Sequence, residues 1–304
     1  MQPSLYRISN SFEALKETPF KKERELQNIF EANLTQIMGL MVVKSEFTIK
    51  NKRIDTLAFD QESKAFVIIE YKRDRNSSVV DQGFTYLSLM LQNKADFILE
   101  YNEQNPKSQL NRNDVDWSQS RVVFVASDFT ENQIEATNFR DIAIELYEVK
   151  RYGEHLLISP IKKSRAAESI KPITQKKKEY KNITEEIKVY SEDDLLVNKP
   201  EDIAELYEKY RTAVINLSDD IEVKPQKHYM TFKKNNRNLV SIEIQQTCLK
   251  LYINLKRGEL DDPKNIARDV SSIGHYSTGD YELKISDDKN LEYIMSLVKQ
   301  AIVD

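Results

Sequence analysis

The run FVIIEYK at residues 66–72 places two charged residues in an otherwise apolar stretch. Glu70 and Lys72 are two residues apart, so both side chains project from the same face of a β-strand. Charged groups on a strand that is apolar on both faces are costly unless they are paired or bind a ligand. The run therefore predicts a central strand with a reactive group at its end. The alternative is a surface Glu70–Lys72 ion pair on an edge strand, which the flanking apolar residues disfavour.

A second carboxylate belongs to the preceding strand candidate, residues 54–59, where Asp55 lies beside Ile54. If these two strands form a hairpin, Asp55 and Glu70 come within reach of one divalent cation. Two carboxylates and water supply the oxygen ligands that Mg²⁺ prefers. The ion polarises a phosphate and helps to deprotonate water, while a nearby lysine stabilises the developing charge. We therefore expect a Mg²⁺ (or Mn²⁺) site, with a third carboxylate from the first helix, either Glu25 or, as the second choice, Glu31.

The elements around this pair follow from hydrophobic periodicity. Helices are predicted at residues 20–38, 79–92 and 131–139, and further strands at residues 41–49, 122–126 and 142–149. The order predicts an α/β fold, a mixed sheet with flanking helices and an αβββαβ core. The sequence has no glycine-rich phosphate loop, which argues against a nucleotide-binding P-loop or dinucleotide fold.

Composition changes at residue 161. Residues 161–181 carry eight Lys or Arg and two Glu, a net charge of +6, with little apolar pattern. We predict a first domain at residues 1–160, a basic linker at 161–192 and a separate, smaller α+β domain at 193–304. The linker is interpreted as a solvated hinge or, alternatively, as a basic strap against phosphates.

The bulk composition limits the function classes. The chain has 304 residues and a formal net charge of −4, so any nucleic-acid contact must come from a local basic surface. One cysteine, Cys248, excludes a disulfide within the chain and a zinc site built on cysteines. The longest apolar stretches are far shorter than the ~20 residues of a membrane span. We expect a soluble, cytoplasmic protein without a membrane partner.

Four segments together resemble the PD-(D/E)XK nuclease superfamily over roughly residues 20 to 150: residues 25–34, Arg53-Ile54-Asp55, Glu70-Tyr71-Lys72, and Gln82-Gly83 with Tyr86-Leu87. The nearest patterns are those of archaeal-type single-strand and flap endonucleases and of the Holliday-junction-resolvase-like branch. The resemblance implies a restriction-endonuclease-like fold and specific site residues. The implied catalytic residues are Asp55, Glu70, Lys72 and Gln82, and the implied metal ligands are Glu25, Asp55 and Glu70.

The chain departs from the family pattern at two positions. Ile54 stands where the family's first motif has proline, and Tyr71 fills a position that is usually apolar. Gln82 also has a simpler interpretation, as an ordinary residue of the first helical turn. The resemblance allows a homodimer, because many relatives act as dimers, although no helix here shows an obvious dimer seam.

Our first functional hypothesis is a metal-dependent nuclease that hydrolyses DNA, in repair or in defence against foreign DNA. The alternative is a non-cleaving module that binds nucleic acid or protein. A purely structural protein is disfavoured, because a buried Glu70–Lys72 pair is a poor source of stability. Three basic residues, Arg73, Arg75 and Lys94, are candidates for the approach of phosphates, or ordinary surface residues.

The second half resembles a small domain of unknown function found behind such nuclease-like domains. Proteins of this architecture have sometimes carried the label "predicted transport protein", for which the sequence offers no membrane segment. Tyr229, Phe232 and Tyr252 could stack on bases. The alternative, which we favour, is that they are ordinary residues of a sheet.

Overall fold

The computed structural model describes residues 5–8, 11–72, 78–164, 166–174, 178–275 and 277–302. The chain divides into two compact units, Met1–Thr35 with Leu40–Val189 and Gln36–Gly39 with Tyr190–Asp304. Among the helices of these described residues, none has both the length and the apolar character needed to cross a membrane.

The elements from the N-terminus to residue 189 alternate between strands and short helices. In chain order they are β1 (Tyr6–Ile8), β2 (Phe12–Ala14), α1 (Glu23–Ala32), α2 (Leu34–Met38), β3 (Met41–Ile49), β4 (Lys52–Asp60), β5 (Ala65–Lys72), α3 (Val79–Gln92), α4 (Lys94–Gln104), β6 (Arg121–Ala126), α5 (Glu131–Thr137), β7 (Ile144–Tyr152), β8 (His155–Ile161), α6 (Lys171–Thr174) and α7 (Lys178–Glu186). The single helix predicted at residues 20–38 is thus two helices, separated at Asn33, whose amide Nδ2 donates to the backbone oxygen of Ile29 (2.8 Å).

Six strands form one mixed sheet in the order β3-β4-β5-β6-β7-β8. The strands β3, β4 and β5 are antiparallel neighbours, β5, β6 and β7 run parallel, and β8 returns antiparallel to β7. The predicted α/β fold class, with its mixed sheet and flanking helices, is confirmed. The strand β8 and the helix α4 are additions that the sequence pattern did not reveal.

The strand β5 is central, as predicted, and none of the residues 65–71 is more than 6% exposed. The helix α1 covers the face that carries Tyr71, whose ring meets Phe30 edge-on with centroids 5.9 Å apart. The helix α3 covers the opposite face, where Phe84 and Leu87 join the main core. Burial on both faces excludes the edge-strand alternative for Glu70 and Lys72.

The segment predicted as a linker, residues 161–192, is for the most part folded onto the first unit. Ile170, Ile183 and Ile187 are buried in its core. The ring of Tyr180 in α7 stacks on Phe84 of α3 with centroids 4.4 Å apart and an interplanar angle of 14°. Because a few buried apolar side chains are enough to hold these short helices, composition alone suggests a linker. Lys176 and Lys177 of the expected basic strap lie outside the described residues.

The second unit is an α+β domain, as predicted. Its elements are α8 (Glu192–Leu196), α9 (Glu201–Ile215), β9 (Glu222–Pro225), β10 (Met230–Lys234), β11 (Arg237–Ile244), β12 (Leu249–Ile253), β13 (Arg268–Asp269), β14 (Tyr281–Ile285) and α10 (Leu291–Lys299). The strands form an antiparallel sheet in the order β13-β14-β12-β11-β10-β9. Apolar side chains of α9 and α10 join those of the sheet in one core.

The aromatic residues considered for base stacking are part of this second sheet or its flank. Tyr229, Phe232 and Tyr252 are each no more than 5% exposed. Because a base must reach the face of an aromatic ring to stack on it, the stacking interpretation is wrong and the sheet interpretation is correct.

Candidate active site

The strands β4 and β5 part at the point where the predicted reactive residues lie. Their ladder ends at the pair Thr56 and Ile69. Beyond it, the backbone N–H of Tyr71 donates to Oδ2 of Asp55 at 3.0 Å. Asp55 on β4 and Glu70 on β5 are the next residues beyond that last pair. The negative charge of Glu70 contributes to raising the pKa of Asp55. The end of the ladder thus leaves two carboxylates beside one another, with that of Glu70 on the α3 side of the sheet.

Glu70 is the most closely held residue of the group. Its Oε1 accepts hydrogen bonds from Lys72 Nζ at 3.0 Å and from Gln82 Nε2 at 2.8 Å. Its Oε2 accepts from the hydroxyl of Tyr86 at 2.9 Å. Charge-assisted hydrogen bonds of this kind fix the orientation of a buried carboxylate. The sequence-predicted residues Glu70, Lys72 and Gln82 are therefore brought together.

The negative charge of Asp55 is unfavourable in this group. Burial, followed by the negative charge of Glu70, raises the pKa of Asp55 to about 6. The hydrogen bond from Tyr71 N–H and the ammonium of Lys72 oppose this rise. Since the raised pKa reflects an unfavourable negative charge, a bound cation would favour the ionised form of Asp55.

Tyr86 belongs to the same group, although the predicted catalytic set did not include it. Its hydroxyl accepts from Gln82 Nε2 at 3.1 Å, in addition to donating to Glu70. Burial, together with the charge of Glu70, raises the pKa of Tyr86, so the hydroxyl stays protonated and remains a donor. The signal in the sequence is the four-residue spacing of Gln82 and Tyr86, which places both on one helical face.

Gly83 sets how closely α3 approaches the sheet. A Cβ atom at this position would lie 2.4 Å from Cδ1 and 2.9 Å from Cγ1 of Ile144 on β7. Ile144 is only 1% exposed, so it has little space into which to move. The missing side chain therefore lets α3 lie close enough for Gln82 and Tyr86 to reach Glu70.

We expect Gly83→Ala to destabilise the protein by about 1–2 kcal/mol. The gain in helix propensity, up to ~1 kcal/mol, is smaller than the ~1–3 kcal/mol cost of overpacking a buried contact. Urea denaturation measures the difference, with Thr85→Ala, an exposed position of the same helix, as the control. A Gly83→Ala variant as stable as the control variant would contradict this account of the helix position.

Glu25, the predicted third carboxylate, is not part of this group. Its Oε1 accepts from Arg151 NH1 of β7 at 2.5 Å, and its Oε2 accepts from the backbone N–H of Lys21 at 3.0 Å. The hydrogen bond from Arg151 lowers the pKa of Glu25. The prediction that Glu25 completes the metal site is therefore corrected, because its carboxylate is engaged by another strand.

Glu31, the second choice, also lies away from Glu70. It accepts from the hydroxyl of Thr56 at 2.5 Å. Thr56 is paired with Ile69, and it therefore shares the sheet face of Ile69 and Tyr71 rather than that of Glu70. Throughout the part of the chain that the structure describes, no group of three or more Asp, Glu, His or Cys side chains is placed to hold a metal ion.

Of the three basic residues predicted to line the approach, the structure describes Lys94, which is engaged elsewhere in the fold. Lys94 pairs with Glu186, and its ammonium lies 5.6 Å from the centre of the Trp117 ring. It is therefore a contact between α4 and α7 rather than a free cation. Arg73 and Arg75 lie outside the described residues.

Comparisons with known proteins relate to different parts of the chain. Residues 192–302 match the family described as a domain of unknown function (DUF5655). Two solved structures are similar to part of the chain at 16% sequence identity. One, a repair endonuclease from Pyrococcus abyssi, has a TM-score of 0.21, with 43% of this chain and 60% of that chain covered. The other, SfsA of Pyrococcus furiosus in complex with Ca²⁺, has a TM-score of 0.24, with 45% of this chain and 62% of that chain covered.

This chain spans less than two thirds of either solved structure, and TM-scores this low carry no argument about its function. A protein of Haemophilus influenzae, described as an uncharacterized protein, is similar over almost the whole length. It is 55% identical over 291 residues, which cover 95% of this chain and 96% of that protein. Identity at this level over both full lengths shows common descent, and the chain belongs to the same family as this Haemophilus influenzae protein.

Proposed function

We propose that the first unit is a metal-dependent nuclease of the PD-(D/E)XK type, which hydrolyses phosphodiester bonds of DNA. One observation carries the proposal. Where β4 and β5 part, the charges of Asp55, Glu70 and Lys72 act on one another, and two residues of α3 orient Glu70. A carboxylate pair with an ammonium group is the combination that phosphodiester hydrolysis needs.

The donor set suits a hard divalent cation. Mg²⁺ usually binds proteins through one or two carboxylates, and it fills its remaining positions with water and substrate phosphate. Asp55 and Glu70 would supply these two carboxylates, without a third from α1. A bound Mg²⁺ would polarise the phosphate and lower the pKa of water. The raised pKa of Asp55 supports this assignment, because a cation would relieve the unfavourable charge.

The protein's own groups would then have separate tasks. Lys72 carries a positive charge beside Glu70, where it can stabilise the negative charge that develops on the phosphate oxygens. Gln82 and Tyr86 hold the two oxygens of Glu70 in a fixed orientation. Such preorganised support is typical of a site whose ligands must not rotate during the reaction.

A second candidate is a module that binds nucleic acid without cutting it. It is favoured by the hydrogen bonding of Glu70, since both its oxygens already have donors within the protein. A carboxylate satisfied in this way could have a structural role and bind no cation. The two candidates differ in whether the purified protein cleaves anything.

The test is a cleavage assay of the full chain on single-stranded, flapped, branched and duplex DNA and on RNA, with Mg²⁺ or Mn²⁺. We expect cleavage of at least one DNA substrate that EDTA abolishes. Binding without cleavage of any substrate would favour the second candidate. A protein that neither binds nor cuts any of these nucleic acids would exclude both candidates.

A further inference from the structure

Two arginines meet on one carboxylate at the edge of the candidate active site. Oε1 of Glu46 accepts from NH1 of Arg24 at 2.5 Å, and Oε2 of Glu46 lies 2.9 Å from Nε of Arg53. Arg24 belongs to α1 and Arg53 to β4, so Glu46 of β3 joins guanidinium groups from different elements. The cluster Arg24–Glu46–Arg53 has a net charge of +1.

Two residues, Gln27 and Tyr86, connect the cluster to the carboxylate pair by hydrogen bonds. Arg24 NH1 donates to the side chain of Gln27 at 3.3 Å, and Gln27 Nε2 donates to the backbone oxygen of Asp55 at 2.8 Å. The hydroxyl of Tyr86, which binds Glu70, also lies 3.3 Å from the backbone oxygen of Arg53. Arg53 is two residues from Asp55 along β4, so the cluster and the carboxylate pair share this strand.

Glu46 has an unusual backbone conformation at this point. Its neighbours on β3 pair with the neighbours of Asp55 on β4, so Glu46 lies opposite Asp55 in the ladder. Its φ of 54° is in the left-handed region, which is costly for a residue with a side chain and persists only where surrounding contacts support it. At this point the side chain of Glu46 contacts Arg24 and Arg53.

Both guanidinium groups keep donors available. The side chains of Arg24 and Arg53 are 54% and 68% exposed, whereas that of Glu46 is 29% exposed. A guanidinium has five N–H donors in a planar fork that matches phosphate geometry. Among the described residues, Arg53 uses Nε alone and Arg24 uses NH1 alone. The remaining N–H groups therefore face solvent at the edge of the site.

We propose that Arg24 and Arg53, held together by Glu46, bind one backbone phosphate of the nucleic acid beside the Asp55–Glu70 site. This inference rests on the proposed function, because it assigns substrate-binding residues to the same site. A phosphodiester fits better than a free carboxylate or a nucleotide base. Two guanidinium forks match the charge and the several acceptor oxygens of a phosphate, and contacts of this kind position a strand without reading its sequence.

The test measures binding of the full chain to fluorescent single-stranded and duplex oligonucleotides in EDTA, over a series of salt concentrations. Arg24→Gln combined with Arg53→Gln is expected to weaken binding about tenfold and to reduce the salt dependence by about one phosphate contact. The loss should be the same for oligonucleotides of different sequence. Arg24→Lys combined with Arg53→Lys should restore the salt dependence but only part of the affinity, since lysine lacks the planar fork.

Arg7→Gln provides the matched control, because Arg7 is also an exposed arginine of this unit that faces a carboxylate, Glu13, at 3.9 Å. It should bind as the wild type does, and urea denaturation should show that all variants are folded. If the wild type cleaves DNA and the double Gln variant binds and cleaves it equally well, this inference is overturned. The proposed nuclease function then still holds. Absence of both binding and cleavage in the wild type overturns both proposals. Equal weakening by Arg7→Gln also overturns the inference, since it would show a general effect of charge.

Discussion

Asp55→Asn is expected to reduce cleavage by about 10³-fold or more while making the metal-free protein more stable. The amide keeps the shape of the carboxylate and an oxygen that can accept the Tyr71 N–H, so the local fold is retained. It loses the negative charge that a divalent cation needs. Single-turnover cleavage with Mg²⁺ measures the first effect, and urea denaturation in EDTA measures the second.

The gain in stability follows from the direction of the pKa shift. The carboxyl of Asp55 has a pKa of about 6 in the folded chain and an ordinary value of 3.8, so the folded chain binds the proton more tightly. The wild type therefore loses stability as the pH rises from 3.8 to about 6, and the loss is complete above that range. With allowance for solvent screening, we expect the variant to gain about 1–2 kcal/mol above pH 6 and nothing near pH 3.8.

Asp96→Asn is the matched control, because Asp96 is an exposed aspartate in the first turn of α4. It should leave cleavage unchanged, and it should lack the gain in stability that Asp55→Asn shows above pH 6. Added Mg²⁺ should raise the unfolding temperature of the wild type and of Asp96→Asn but not that of Asp55→Asn, since a cation stabilises only the form that binds it. An Asp55→Asn protein that still cleaves near the wild-type rate would remove Asp55 from the site.

The predictable part of this site is the part that depends on local spacing. Two-residue alternation places Glu70 and Lys72 on one face of β5, and the helical period gives α3 its bounds, Val79–Gln92, as predicted. Both periods are properties of the backbone and need no knowledge of the rest of the fold. The same spacing argument brings Gln82 to Glu70 through the position of α3 directly after β5.

The error over Glu25 has a different origin. The sequence shows that α1 is amphipathic, but it does not show which face of the sheet the helix covers. In the structure α1 covers the Tyr71 face, and Arg151, which is 126 residues away in the sequence, contacts Glu25. A partner at that separation depends on the pairing order of β7 within the sheet, which no local pattern encodes.

The two arginines near the site were missed for a related reason. Arg53 stands within the motif that contains Asp55, yet its contact with Glu46 depends on the β3–β4 register and on the left-handed φ of Glu46. Arg24 reaches the same carboxylate from α1. Lys94, which the sequence suggested for this role, pairs with Glu186 instead, a contact across 92 residues that no local pattern predicts.

Lys72→Met is expected to separate metal binding from catalysis. The ammonium of Lys72 lies 3.0 Å from Oε1 of Glu70, and it therefore competes with a cation for that oxygen. Removing it should leave Mn²⁺ binding as tight as in the wild type or tighter, as measured by calorimetry. Cleavage should nevertheless fall by about 10²–10³-fold, because the charge that develops on phosphate loses its nearby cation. Lys72→Arg should recover little activity, since a guanidinium is not an equivalent of a compact ammonium.

Gln82→Leu is the informative comparison, because Gln82 donates to the same Oε1 without carrying a charge. If Lys72 served only to satisfy Glu70, the two variants would lose cleavage to a similar extent and Lys72→Met would lose Mn²⁺ affinity in parallel. If Lys72 acts on the reacting phosphate, Lys72→Met should be at least about tenfold slower than Gln82→Leu, since each tenfold is ~1.4 kcal/mol of transition-state stabilisation. A Lys72→Met protein that loses Mn²⁺ binding and cleavage together would assign the lysine to the support of Glu70. The chemistry would then depend on Asp55 and Glu70 alone.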